Sequence, residues 1–215
     1  MPDTTNKPLF KQVRALIKQN PNAVKNQVRT WFGGKVAELI GTAVPDTVIK
    51  DNKTLQASDV LIGKMAFYFY DPKWKNELPY YDRFPLLIPF NIFKDGFIGY
   101  NLHYLPVQYR VALLEKLLEF TNNTRYDVTT KLKLSYQFLN GVSKYKELEP
   151  CIHKYLASHV RSKFVIVQAY DWATSCLLPV ERFEKASKEK VWEDSRKKMN
   201  KPIVDVLNKR KKKNG

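Results

Sequence analysis

The chain has 215 residues, 44% of them hydrophobic, with thirty-seven Lys and Arg against twenty-one Asp and Glu and a net charge of +16. This is ample apolar material for one domain-sized core, and the positive excess points to a polyanionic partner, with plain solubility as the bland alternative. No apolar run nears the roughly 20 residues that span a bilayer, and the first thirty residues lack the apolar stretch of a secretion signal, so synthesis inside a cell, with no membrane partner, is expected.

Leu9, Phe10, Val13, Leu16 and Ile17 recur at helical spacing and predict a first helix, stopped by Asn20-Pro21. A second helix from Pro21 or Asn22 carries Val24, Val28, Trp31 and Phe32, with Gly33-Gly34 as a break or close-packing point and Gly41 as a C-cap. Residues 42–62 show weak periodicity and mixed polarity and are expected to link these helices to a proline- and aromatic-rich segment.

Residues 68–104 hold most of the distinctive chemistry: many aromatics, prolines at 72, 79, 85 and 89, and one Asp-Gly turn. Prolines at this density exclude a helix and predict strands with stiff turns. Met65–Tyr70 reads as one strand. Phe84–Phe93 and Phe97–His103 read as a hairpin about Lys94-Asp95-Gly96, with Gly96 at positive φ and Pro85 and Pro89 on an edge or at bulges. Helices are expected from Pro106 to Phe120, from Val128 to Asn140 with Gly141 closing it, and from Pro150 to His159. Lys163–Ala169 reads as a strand that rejoins the sheet. Asp171 is placed to cap a short helix ending near Pro179, and a basic helix runs from Arg182 towards Pro202.

The resulting fold class is α+β: a small bent antiparallel sheet or barrel with a helical insertion and N- and C-terminal helical extensions. The expected divisions are 1–62, a helical extension and linker; 63–181, the core domain; and 182–215, a basic helical extension. Aromatics on both strand faces suggest that helices cover one face and another subunit the other.

Recognisable catalytic motifs are absent. Eight glycines never reach the spacing of a phosphate-cradling loop, and neither GxSxG nor HExxH occurs. Asp46, Asp51 and Asp59 are the acids that could hold a nuclease metal, but no strand pattern supports them. Cys151 and Cys176 are too few for a disulfide framework and read as buried thiols. With His153 and His159 they match no metal-ligand spacing, so neither metal nor cofactor is expected. His103 reads as a buried structural histidine. Asp82-Arg83 reads as a charge pair pinning a turn, with Arg83 meeting a phosphate as the alternative.

From Arg182 to Gly215 thirteen basic residues face five acidic ones, so +8 of the net charge lies in thirty-four positions. Lys209, Arg210, Lys211, Lys212 and Lys213, with Arg196, Lys197 and Lys198, are therefore the candidate contacts to double-stranded DNA. Each cation brought to a phosphate releases counterions and binds without reading sequence. Tyr80, Tyr81, Arg83, Phe84 and Phe90 are candidate docking residues, because proline neighbours stiffen large rings as interface anchors require; the alternative is that the rings fill the domain's own core.

The strings PYYDRFPLLIP, DGFIGYNLHYLPVQYRVALLEKL, LNGVSKYKELEPCIHKYLASHVRSKFVIV and DWATSCLLPVERFEKASKEKVWEDS are long and idiosyncratic. Over about residues 60–200 they resemble the DNA end protector family of T4-like tailed bacteriophages. The first sixty residues and the tail beyond Lys201 lie outside this likeness, which places partner-specific contacts there. The resemblance implies a protein made in the host cytoplasm that enters the virion at the neck, contacts the packaged genome end and shields it from exonuclease as a binder and not an enzyme. It carries over no catalytic residues. Its partners would be neck, portal or tail proteins and DNA. The alternative is a baseplate or tail-tube adaptor bridging virion subunits; a nuclease would need carboxylates clustered in a cleft.

Overall fold

A computed structural model describes residues 8–40, 62–178 and 183–199. Its organising unit is the hairpin of β2 (Leu86–Phe93) and β3 (Gly96–Asn101), which pair antiparallel from Leu87↔Asn101 to Phe93↔Gly96 across the Lys94-Asp95 turn. The short strands β1 (Ala66–Phe67), β4 (Ile152–Leu156) and β5 (Val165–Ile166) complete an antiparallel sheet in the order β4-β3-β2-β1-β5. β4 and β5 are its two edges, so the sheet is open and not a barrel.

Pro89 lies in a strand flanked on both sides, yet β1 pairs only with Leu86 and Leu87, so the missing proline N–H falls beyond the end of β1. The β2–β3 register shifts between Pro89 and Asn91, the bulge that proline favours. The strand expected over Met65–Tyr70 contracts to Ala66–Phe67. Beyond it Phe69 N–H donates to Ser162 Oγ at 2.8 Å and Phe69 O accepts from Arg161 N at 2.7 Å, contacts outside the ladder.

The helix expected over Pro150–His159 is instead β4 between two 3₁₀ turns, Lys146–Cys151 and Ala157–His159. β3 would otherwise leave its outer edge unpaired. Five β4 residues from Ile152 to Leu156 satisfy it, and that pairing overrides local helical spacing.

The helices follow their apolar stripes closely. α1 (Leu9–Ile17) buries Leu9 and Val13, and α2 (Pro21–Ile40) runs unbroken through Gly33-Gly34. Among the described residues a Cβ at either glycine would meet nothing within 4 Å, so the helix neither breaks nor packs closely on them there. The helical insertion between β3 and β4 is α3 (Val107–Thr121), preceded by Pro106 at its N-cap, and α4 (Val128–Val142). Asp127 caps α4 by accepting from Thr130 N at 2.8 Å, and the helix passes through Gly141 to end at Val142. α5 (Trp172–Ser175) starts after Asp171, whose side chain makes no cap bond. α6 (Lys188–Lys198) begins later than Arg182, at a true cap: Ser187 Oγ accepts from Lys190 N at 3.3 Å.

One sheet face packs Phe67, Leu86, Ile88, Phe90 and Tyr100 against the helices, in a core that includes Leu9, Val13, Val24 and Val28 of α1 and α2. The other face is closed by the chain's own rings, with Tyr68, Tyr70, Phe97 and Tyr155 clustered about Leu87 and Val160. A second subunit is not what covers it. Into the helical side projects Arg110, fully buried. Its Nε donates to Leu105 O at 2.6 Å, Nη1 to Cys176 O at 3.1 Å and Nη2 to His103 O at 3.2 Å. Cys151 and Cys176 are both buried thiols.

Gly96 does not take positive φ; among the described residues the glycine that does is Gly63, at 74°. Space is what requires glycine at 96: a Cβ there would run into the carbonyl oxygen of Tyr155 and lie 3.1 Å from Leu156 Cα on β4. Gly96→Val should therefore lower unfolding free energy by about 1–3 kcal/mol, the usual cost of overpacking. Urea denaturation reads this directly, and an unchanged midpoint would refute the close approach of β3 and β4.

Candidate nucleic-acid interface

Cations gather at two places. From residue 8 to residue 37 the chain carries Lys11, Arg14, Lys18, Lys25, Arg29 and Lys35 and no carboxylate. α1 and α2 turn Leu9, Val13, Val24 and Val28 to the core, and Lys11, Arg14, Lys18 and Lys25, with Phe10 and Ile17, are left exposed. Lys25 also lines a depression of about 330 Å³ together with Lys188, which brings the N-terminal helices beside the start of α6.

α6 supplies the second cluster. Lys190 pairs with Asp194 at 2.9 Å and Lys197 with Glu193 at 2.7 Å, exposed i,i+4 pairs that hold each other in solvent. Arg196 and Lys198 are exposed and make no ion pair among the described residues. Lys209, Arg210, Lys211, Lys212 and Lys213 lie outside those residues, as do Asp46, Asp51 and Asp59.

Beside β4, at the outer end of the sheet, lies an aromatic cleft of about 310 Å³, walled by Tyr70, Trp74, Tyr81, Tyr104, His153 and Tyr155, with Lys73 and Lys154 also in its lining. It adjoins a smaller hollow of about 220 Å³ that shares Leu78, Tyr104 and His153 and is bordered by Lys198. Trp74 sits on the 72–79 turn and is 56% exposed. That turn is fastened by Lys185, a residue at φ 69°, whose Nζ donates to the carbonyls of Lys75, Asn76 and Leu78 at 2.6, 3.2 and 3.0 Å. The Lys73 ammonium lies 4.8 Å from the Trp74 ring centroid.

Asp82 is the carboxylate of the cleft lining, and it pairs inward. Its Oδ2 accepts from His103 Nδ1 at 2.7 Å and from Asn101 Nδ2 at 3.0 Å, and its Oδ1 from Phe84 N at 3.0 Å. Burial pushes Asp82 up, but the His103 ring, the Asn101 amide and the Phe84 N–H outweigh it and hold the carboxyl below its usual value. An ionised Asp82 fixes the His103 tautomer with the proton on Nδ1. Nε2 of His103 is buried and meets no hydrogen-bonding partner among the described residues. The expected Asp82-Arg83 charge pair is not formed. Arg83 instead reaches Glu184 at 3.4 Å across solvent and lies 5.0 Å from the Phe69 ring centroid, because Asp82 turns the opposite way to meet His103.

The docking candidates differ among themselves. Phe90 is 5% exposed and packs on Tyr100 with centroids 4.8 Å apart. Phe84 is half-buried and stacks on Phe69 at 5.3 Å, and Tyr80 is half-buried between Tyr104 and Phe183. Tyr81 forms a bridge to Glu184 and faces the cleft.

A family model described as phage T4 terminal DNA protecting protein matches residues 6–199. The chain belongs to that family. The match starts upstream of α1, so the cationic N-terminal helices, placed outside the likeness by inspection of the sequence, are part of the family region. No curated protein and no solved structure matches the chain. No helix among the described residues is long and apolar enough to cross a membrane, and no group of three or more His, Cys, Asp or Glu among them could hold a metal ion.

Two contributors are not among the residues singled out from the sequence. The acid-free run from residue 8 to residue 37 is accessible to counting. Trp74, flanked by Lys73 and Lys75 between two prolines, stands out only as an oddity, since its cleft is assembled from distant segments.

His153 supplies a test of that assembly. Its ring stands 4.2 Å from Tyr104 and Nε2–H donates to Pro150 O at 3.1 Å; burial pushes the group from 6.5 down to about 4. The unfolded chain therefore takes up a proton at higher pH than the folded one, so stability falls as pH drops from about 6.5 towards 4. Melting temperature followed over that window should fall less steeply in His153→Gln. Parallel pH profiles for variant and parent would show that the imidazole is not buried against Tyr104.

Proposed function

We propose that the protein is a structural component of a phage virion, at the neck or tail, that covers the packaged DNA end by binding without catalysis. The observation that carries this reading is the charge of the two helical regions flanking the sheet. Lys11 and Arg14 of α1, Lys18 just past its end and Lys25 of α2 are exposed, as are Arg196 and Lys198 of α6, which make no ion pair among the described residues, and the sequence continues past α6 to Lys209–Lys213. Such a surface gains affinity by counterion release and reads no sequence, as the cover of a genome end must if it is to seat on any terminus. Protection then comes from occupancy, because an exonuclease cannot load on an end that is held.

The salt dependence of duplex binding tests it. Five phosphates neutralised by the tail correspond to a log–log slope contribution of about −4 to −5. Deleting Lys209–Gly215 should flatten the slope by that amount and shorten the survival of linear DNA under an exonuclease. Unchanged slope and survival would remove the tail from the interface, and absence of any duplex binding at low salt would remove the function.

A second reading, an adaptor bridging virion subunits at the neck, baseplate or tail tube, has its own support. Val128, Leu132 and Tyr136 succeed one another at four-residue spacing on α4 and are 82%, 39% and 38% exposed. Leu132→Glu should leave DNA binding intact and reduce incorporation into particles; full incorporation would exclude that stripe as a subunit contact.

A further inference from the structure

We infer that the aromatic cleft is a pocket for one unpaired nucleotide at a DNA terminus, with Trp74 as its stacking platform. The inference rests on the DNA-end reading and supplies what the basic helices lack, a means of telling an end from the middle of a duplex.

The size of the cleft sets its class of ligand. At about 310 Å³ it lies at the small end of ligand pockets, near 300 Å³, which suits a single base and excludes a base pair. Its lining sets the chemistry. Trp74 presents an exposed indole on a turn pinned by the three Lys185 hydrogen bonds, so a face is available without ordering cost. Tyr81 and Tyr104 supply further aromatic wall, and every base has a π-face to offer them.

The electrostatics agree. Lys73 lies against the Trp74 ring, placed to meet the phosphate of a base stacked there. Lys154 has Asp95 as its ion-pair partner, at 3.0 Å between groups that are half in solvent, a pair worth little and readily exchanged for a phosphate. The lining carboxylate, Asp82, is compensated by its bonds to His103 and Asn101 and does not oppose an anion as a free carboxylate would. An internal base pair cannot enter, since its bases are stacked and paired; an overhanging or frayed terminal base can, at little unstacking cost.

The test compares two duplexes of equal length and sequence, one ending in single-nucleotide overhangs and one closed at both ends by hairpin loops, with 2-aminopurine as the overhanging base. The parent protein should prefer the open duplex by about 5- to 150-fold, the range of one base–aromatic stack, and should quench the 2-aminopurine emission. Trp74→Ala should abolish both effects while leaving affinity for the closed duplex unchanged; Trp74→Phe should keep part of each, and Lys73→Gln should weaken the preference without removing the quenching. Equal affinity of the parent for both duplexes, or quenching that survives Trp74→Ala, overturns the pocket and leaves the duplex-binding function standing. No binding to either duplex overturns both.

Discussion

Arg110 is a buried cation whose counter-charge consists of backbone carbonyls. Among the described residues it faces no carboxylate at bonding distance; three carbonyl oxygens, from His103, Leu105 and Cys176, take its N–H groups. Removing a guanidinium from water costs several kcal/mol, and charge-assisted hydrogen bonds of about 1.5–3 kcal/mol each offset this only when the geometry is closed. Burial pushes the group down to about 9, which still leaves it charged at neutral pH. The consequence is positional. The 3₁₀ turn Leu102–Tyr104, the first turn of α3 and the end of α5 are fixed to one planar fork.

α6 is hung on the same turn. Trp192 Nε1 donates to His103 O at 2.8 Å, Ser195 Oγ to Tyr104 O at 2.7 Å, and the Trp192 ring centroid lies 5.3 Å from the Arg110 guanidinium carbon. Arg196 and Lys198 come directly after that anchored stretch, so the placement of surface cations is inherited from a buried one. On the sheet side, Asn101 Nδ2 donates to both Asp82 and Tyr155, and Asp82 holds His103, which ties the 70–82 segment to β3 and β4. The cleft walls are therefore set by this polar network, and such networks specify geometry because breaking one leaves further buried groups unpaired.

Legible in the sequence is whatever repeats along it. α1, α2, α3 and α4 declare themselves by apolar spacing, and the β2–β3 hairpin by two apolar runs about Asp95-Gly96; each is local in origin. β4 is not legible, since Ile152 to Leu156 is short, comes after Pro150, and owes its conformation to the open edge of β3 more than to its own residues. β1 and β5 are legible as strands over Met65–Tyr70 and Lys163–Ala169, but each contracts to the two residues that pair. Arg110 beside an apolar stripe has the pattern of a solvated residue, and no spacing announces carbonyls contributed by positions 103, 105 and 176. Gly96 reads from the sequence as a glycine required by a turn conformation, which it does not adopt; the requirement comes from β4, whose residues read locally as a helix. The two errors are one error, because the strand hidden from the sequence is the object the Cβ would strike.

The same distinction separates the two halves of the interface. Charge is additive along a chain, so counting residues finds the basic helices and the tail without a fold. An aromatic cleft is not additive: Tyr70, Tyr104 and Tyr155 acquire a common wall only when β4 lies against β3 and the 72–79 turn is pinned by Lys185. Counterion release acts at long range and weakens with salt, while stacking acts at contact and is nearly indifferent to salt. A protein that must find DNA anywhere and yet remain at its end needs both. In the function proposed above, the basic helices would bring the duplex to the surface, and the folded cleft would register where the duplex stops.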